Sequence, residues 1–271
     1  MWKTWTKEEL GKAYNNSLAV NNSAELIRLW VDKSASARKT IKGDLNIPYG
    51  SSSRQSFDFF PGGNQSPIVV FIHGGFWQVR SKDDFTFIAP RLLDEGMTVA
   101  LLGYSLAPEA KMADIVLDVR NGLNKIEKKV RSERGSFPGF YLLGWSAGAH
   151  LVASVMDQAN VSAGLAISGI YDLEPMRHCY VNDKLQLDSK SSCDYSPILQ
   201  KNHFGKSIDL FVGSAELPAM QKQTTDFIRY RQSHSQLGEF KLLNGLNHYT
   251  IFNELINQDG DILKVLKHRV L

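Results

Sequence analysis

The chain reads as an α/β protein, with a mostly parallel central sheet covered by helices on both faces. Two observations predict this. From Ile68 onward, continuous apolar runs of strand length alternate with helical segments, the rhythm of βαβ units whose strands are buried on both sides. Within that rhythm, Phe140-Tyr141-Leu142-Leu143 enters a Gly-x-Ser-x-Gly turn and leaves as a helical run from Ala147 to Met156. Composition adds that residues 1–271 suit a single domain: hydrophobic residues are 43%, charged residues 22%, and no low-complexity linker divides the 271 positions.

The elements follow in order. Thr6-Lys7-Glu8-Glu9 has the form of a capping box opening a short helix, and Asn22-Ser23-Ala24-Glu25 opens a second, with Leu26, Leu29, Trp30 and Val31 as its apolar face. Ile47-Pro48-Tyr49-Gly50 reads as a turn. Phe57-Asp58-Phe59-Phe60 alternates like a strand before Pro61-Gly62-Gly63-Asn64, which suits a hairpin at the sheet edge. The β-branched run after Pro67 is a buried strand. Strands are then expected at Thr98 to Leu102, Tyr141 to Leu143, Gly164 to Ile167, Asp209 to Val212 and Phe240 to Leu243, with helices over Ala113 to Val130 and Tyr249 to His268. The stretch 173–206 is polar and weakly periodic, the signature of a small cap inserted over the sheet's C-terminal edge.

Charge and cysteines narrow the partners. Lys and Arg number 31 against 28 Asp and Glu, a net +3 too balanced for a nucleic-acid footprint. The N-terminus lacks an apolar secretory core, and no window approaches the ~18 apolar residues of a spanning helix. The expectation is a soluble, unexported, cytoplasmic protein that engages no membrane, with a homodimer left open. Cys179 and Cys193 are too few for a disulfide framework, and no metal-ligand spacing is present, so neither metal nor cofactor is expected.

The chemistry gathers around Gly144-Trp145-Ser146-Ala147-Gly148. A sharp strand-to-helix bend there exposes the Ser146 hydroxyl, and its close backbone approaches require glycine on either side. Upstream, the strand through Val69 and Val70 ends in His73-Gly74-Gly75-Phe76-Trp77, a loop whose N–H groups suit an oxyanion hole. Gly75, Phe76 and Ala147 are the expected donors. A serine hydroxyl needs a base and an orienting acid, in this architecture in the order Ser, acid, His. His248 follows the final strand in Asn244-Gly245-Leu246-Asn247-His248, and Glu216 follows the strand before it. Asp172 competes as the acid but reads better as a loop-ordering residue; Asp226 falls within a helix. His73 is expected to hold its own loop by a hydrogen bond, His150 to pack its helix, and Phe76, Trp77 and Trp145 to wall a compact substrate pocket.

These motifs, with Gly103-Tyr104-Ser105-Leu106-Ala107-Pro108-Glu109, resemble the α/β-hydrolase esterases of the hormone-sensitive-lipase group. The His-Gly-Gly-Phe-Trp variant, Ala-Gly-Ala-His after Ser146 and Ser168-Gly169-Ile170-Tyr171-Asp172-Leu173 are more similar to the kynurenine formamidase (arylformamidase) branch, as are the region Tyr14 to Arg38 and the turn at Ile47. Two departures stand out: Phe76 replaces a third glycine, and Trp145 precedes the nucleophile where a histidine is usual. The resemblance implies acyl transfer from a small-molecule aryl formamide or short ester through Ser146, His248 and Glu216, without a cofactor. A short-chain carboxylesterase is the neighbouring reading. A non-catalytic binding protein of the same fold would be marked by a broken triad, and all three members are present in order.

Overall fold

Strands buried on both faces can form only the middle of a layered structure, and this chain has several. The computed structural model describes residues 2–200 and 205–271; residues 201–204 of the expected cap lie outside the described residues. In chain order come α1 (Lys7–Tyr14), α2 (Asn16–Ala19), α3 (Ser23–Thr40), β1 (Asp44–Pro48), β2 (Ser56–Phe60), β3 (Ile68–Ile72), α4 (Ala89–Asp94), β4 (Thr98–Leu102) and α5 (Met112–Arg134). The second half adds β5 (Phe140–Trp145), α6 (Ala147–Ser154), β6 (Val161–Ile167), α7 (Glu174–Arg177), α8 (Asn182–Leu185), α9 (Ser189–Asp194), β7 (Ile208–Gly213), α10 (Pro218–Ser233), β8 (Phe240–Leu243), α11 (Asn253–Ile256) and α12 (Asp261–Val270). All eight strands join one sheet in the order β1-β2-β4-β3-β5-β6-β7-β8, parallel from β4 onward and antiparallel at the β1-β2 edge. Alternate residues of β3 separate two cores. Ile68, Val70 and Ile72 face α5 and α6, while Val69 and Phe71 face α3, α11 and α12. Among the described residues no helix is long and apolar enough to cross a membrane.

The N-terminal region departs from expectation in three places. Thr6 and Glu9 do form a reciprocal capping box on α1, but Asn22 caps α3 without a side-chain bond, and α2, capped by Asn15, intervenes. Leu29 and Val31 are 45% and 37% exposed: successive helical residues turn through about 100°, which carries these two away from the Trp30 face. Ile47 and Pro48 belong to β1 rather than to a turn, which instead spans the Tyr49 N–H bond to the Gln55 carbonyl. An edge strand tolerates Pro48 because no ladder donor is required on its open side.

The edge is fastened by charge. Asp58 on β2, completely buried, accepts from Arg38 of α3, from Lys82 Nζ at 2.7 Å and from the Asn46 N–H at 2.8 Å. Asp83 bridges the same two cations at 2.9 and 2.7 Å. Asn46 takes a left-handed φ of 56° at the β1 bulge, which turns its N–H onto Asp58. The cluster thus joins the first long helix, the edge hairpin and the turn that follows the His-Gly-Gly loop.

The expected closing helix is broken. Its first turn, Thr250–Phe252, runs into α11, and α12 starts only after Gly260. A Cβ on Gly260 would stand 2.2 Å from the Glu254 carbonyl oxygen, and Glu254 Oε2 accepts the Asp261 N–H at 2.7 Å, so the Glu254 side chain begins a new helix instead of extending the old one. Between β6 and β7, the short helices α7, α8 and α9 pack onto the C-terminal end of the sheet. His150 of α6 ties them down. Its Nδ1 accepts from Trp77 Nε1 at 3.2 Å, so Nε2 carries the proton and meets the Tyr195 carbonyl at 2.8 Å. Burial holds the His150 pKa down to about 4, the Tyr195 carbonyl opposing it.

Two predictions follow from these buried polar groups. Asp58→Ala leaves two buried cations short of a partner and is expected to cost about 3–5 kcal/mol in urea unfolding; a loss below ~1 kcal/mol would mean that the cluster does not fasten the edge. His150 is neutral in both folded and unfolded chains above pH 6.5. As pH falls below 6.5 the unfolded chain takes up the proton first, so its contribution to stability is lost progressively down to about pH 4. Between pH 7 and pH 5 that loss is on the order of 2 kcal/mol. His150→Asn should therefore be less stable at pH 7 yet show an acid slope shallower by up to about one proton; an unchanged slope in the variant would contradict the assignment.

Candidate active site

Ser146 occupies the one-residue bend between β5 and α6, with φ 56° and ψ −119°. This left-handed backbone is strained for a residue with a Cβ, and it persists because the surroundings allow nothing else. A Cβ on Gly148 would lie 2.0 Å from the Ile72 carbonyl oxygen, and one on Gly144 would lie 2.4 Å from the Gly148 oxygen. Strands β3 and β5 and helix α6 therefore meet backbone to backbone. The Ser146 N–H is spent on the Ile167 carbonyl at 2.8 Å, and Ala147 begins α6, where a helical N–H has no intrahelical acceptor.

The His73 loop lies against this bend. A Cβ on Gly74 would come within 2.9 Å of Ser146 Cβ, so only glycine lets the loop approach the serine so closely. Gly75, Phe76 and Trp77 follow with φ of 116°, 51° and 58°. His73 behaves as expected: its Nδ1 donates to the Gly74 carbonyl at 2.7 Å, and its own carbonyl accepts from Tyr104 Oη at 2.7 Å. Stacked on Tyr104 at 4.3 Å and held by burial at a pKa of about 4, its ring orders the loop as a neutral group.

Across the bend, His248 Nδ1 lies 2.7 Å from Glu216 Oε2, both side chains almost wholly buried. The second oxygen of Glu216 accepts from Ser168 Oγ at 2.5 Å and from the Gly213 N–H at 2.8 Å. A carboxylate so surrounded is held in one direction. The loops of β7 and β8 are joined as well, since the Leu246 carbonyl accepts the Ala215 N–H at 3.0 Å. Among the described residues Ser146 and His248 share no hydrogen bond. Such contacts are often long in ligand-free enzymes and tighten on substrate.

Asp172 lies elsewhere. Its Oδ1 accepts the Glu174 N–H at 2.9 Å, and Gln223 holds both its N–H and its carbonyl, so it orders the start of α7. Two pocket expectations need correction. Trp77 is fully buried, because the consecutive left-handed residues curl the loop and send its indole back onto His150. Trp145, 5% exposed, ends β5 with its ring in the α3 core, where it meets Trp30 edge-on at 5.5 Å; its Nε1 donates to the His248 carbonyl at 2.9 Å, and its ring centroid lies 4.8 Å from the imidazole. It braces His248 instead of walling a pocket. Phe76 alone of the three remains half-buried on the loop. The sequence reading missed the role of Ser168, which lies just past β6 with a left-handed φ of 54° and reaches Glu216 only across the β6–β7 pairing.

Comparison with known proteins agrees with this architecture. The profile of the α/β-hydrolase fold matches residues 69–249. A kynurenine formamidase of Danio rerio is 30% identical over 287 residues, covering 98% of this chain and 97% of that protein, and one of Salmo salar is 26% identical over the same shares. Among solved structures, a protein from a Silicibacter species described as a candidate thioesterase superposes with a TM-score of 0.86 at 26% identity, covering 95% of this chain and 98% of its own. The full-length match joins the motif, sheet order and elbow in one conclusion: the chain belongs to the α/β-hydrolase fold family, within its kynurenine formamidase branch, and is a hydrolase.

Proposed function

We propose that Ser146, His248 and Glu216 are the catalytic triad of an aryl-formamide hydrolase, with N-formyl-kynurenine as the best substrate. The observation that carries this reading is the buried Glu216–His248 pair at 2.7 Å beside a serine in the left-handed elbow conformation. Ser146 Oγ attacks the formyl carbonyl while His248 Nε2 takes its proton, and Glu216 holds Nδ1–H and stabilises the imidazolium. The N–H groups of Gly75, Phe76 and Ala147 receive the oxyanion. Collapse of the tetrahedral adduct breaks the C–N bond and returns the proton from His248 to the departing aryl amine. Water then attacks the formyl ester by the same route, releasing formate and restoring Ser146.

An ordinary amide resists this machinery because its nitrogen donates into the carbonyl and leaves poorly. In an aryl formamide the ring competes for that lone pair, and the acyl group carries a single hydrogen. Ser146 is only 2% exposed, which favours so small an acyl group. The working unit in this reading is the single domain 1–271, with 173–206 as its cap and a small-molecule substrate drawn from the cytoplasm; both cysteines are free thiols, as suits a reducing compartment.

Ser146→Ala is expected to lower turnover about a million-fold and Glu216→Gln about ten-thousand-fold, both folded by circular dichroism. Ser168→Ala should lower kcat about 10-fold through loss of one bond to the carboxylate. Near-wild-type activity in Ser146→Ala removes the triad, and a large loss in Asp172→Asn with none in Glu216→Gln reassigns the acid. For substrate, kcat/KM is expected to be highest for N-formyl-kynurenine and to fall from p-nitrophenyl acetate to octanoate. A maximum at octanoate refutes the small acyl site, and ester cleavage without formamide cleavage makes the protein a short-chain carboxylesterase.

A further inference from the structure

The oxyanion loop ends on a cation that forms no ion pair among the described residues. After Gly75 the chain folds into one tight turn, its carbonyl accepting the N–H groups of Gln78 and Val79, both at 3.0 Å. This turn lays Arg80 back on the loop: a Cβ on Gly75 would stand 3.0 Å from Arg80 Cγ, as Gly74 stands against Ser146. Arg80 itself takes a φ of 80°, a left-handed conformation that is strained for a residue with a Cβ. Arg54 Nη1 holds it there, donating to the Arg80 carbonyl at 3.0 Å.

Other arginines of this protein have clear partners. Arg38, Arg120, Arg177 and Arg269 each meet a carboxylate. Among the described residues Arg80 forms no ion pair. Its charge acts on Asp84, opposing the rise that burial gives that carboxyl, but Asp84 is engaged by the Ser81 N–H at 3.2 Å in the cap of the following turn. The charge does reach the other side of the site. Burial raises the pKa of Tyr249, the residue after His248, and the Ser17 hydrogen bond and the Arg80 charge oppose that rise. A half-buried arginine thus packs on the loop that carries the oxyanion donors, and its charge is felt at the residue after His248. A fixed planar fork in that position matches a carboxylate.

We propose that Arg80 is the anion-recognition residue of this site, binding the carboxylate of an amino-acid-bearing aryl formamide while its formyl carbonyl lies against Ser146. The proposal rests on the formamidase reading above and deepens it, since neither the triad nor the oxyanion donors discriminate a charged aryl formamide from a neutral one. A cation without an ion pair does. A neutral substrate leaves it solvated only in part, whereas a carboxylate makes charge-assisted hydrogen bonds that persist through the reaction. Its contribution is uniform binding, so its loss appears in KM.

The test compares N-formyl-kynurenine with its carboxamide, which differs only in the charge, in wild type, Arg80→Gln and Arg80→Lys. Wild type should prefer the acid. In Arg80→Gln the acid-to-amide ratio of kcat/KM should fall about 10- to 100-fold, chiefly through KM, the loss expected for a hydrogen-bonded charge. Arg80→Lys should retain part of the preference, and added salt should reduce the wild-type preference. An unchanged ratio in Arg80→Gln, or an equal loss on both substrates, overturns the proposal. Binding of kynurenine and its amide to the Ser146→Ala variant, measured by calorimetry, separates this from the functional reading. Absence of formamide turnover in wild type would sink the formamidase assignment, while the anion preference in binding, lost in the Ser146→Ala, Arg80→Gln double variant, would still stand or fall by itself.

Discussion

Three backbones meet at the elbow with no room for a side chain between them. The Ile72 carbonyl at the end of β3 occupies the space a Cβ on Gly148 would need, and Gly148 in turn fills the space beside Gly144. This contact sets the distance between the serine bend and the His73 loop, which continues directly from Ile72. Every group proposed above to act on a substrate carbonyl hangs from it. The strained Ser146 backbone, the Gly74 approach and the start of α6 are consequences of one steric condition, and any residue larger than glycine at 148 would separate them together.

A second condition holds His248, the proposed base. Glu216 lies just beyond β7 and His248 just beyond β8, so their pairing depends on those two strand ends staying in register. The Leu246 carbonyl supports it by accepting the Ala215 N–H, and Ser168 adds a tie from β6. Three adjacent strand ends thus converge on one carboxylate. The N-terminal helices belong to the same scheme, for Trp30 of α3 backs Trp145, and Trp145 carries the His248 carbonyl.

Much of this was legible because it is local. Strands buried on both faces leave continuous apolar runs, the elbow is a pentapeptide, and the order Ser146, Glu216, His248 follows from the winding of the sheet. What was not legible depends on backbone sign and on distant partners. Trp77 and Trp145 looked like pocket walls because they flank the reactive loops, but left-handed residues before one and strand alternation at the other send both rings inward. The break before α12 turns on Glu254 capping a residue seven positions later, which no helical period contains. Ser168 could be singled out only once β6 and β7 were neighbours.

The contact between Trp145 and His248 has a further consequence. With ring centroids 4.8 Å apart and planes tilted by 39°, the indole lies beside the imidazole that we propose takes up the Ser146 proton. A cation beside an indole is attracted to its π-electrons and perturbs its excited state. Of the five tryptophans, Trp145 is the one whose ring meets His248 among the described residues, so a change of charge on that imidazole would be felt by its indole, without any label and without any substrate chromophore.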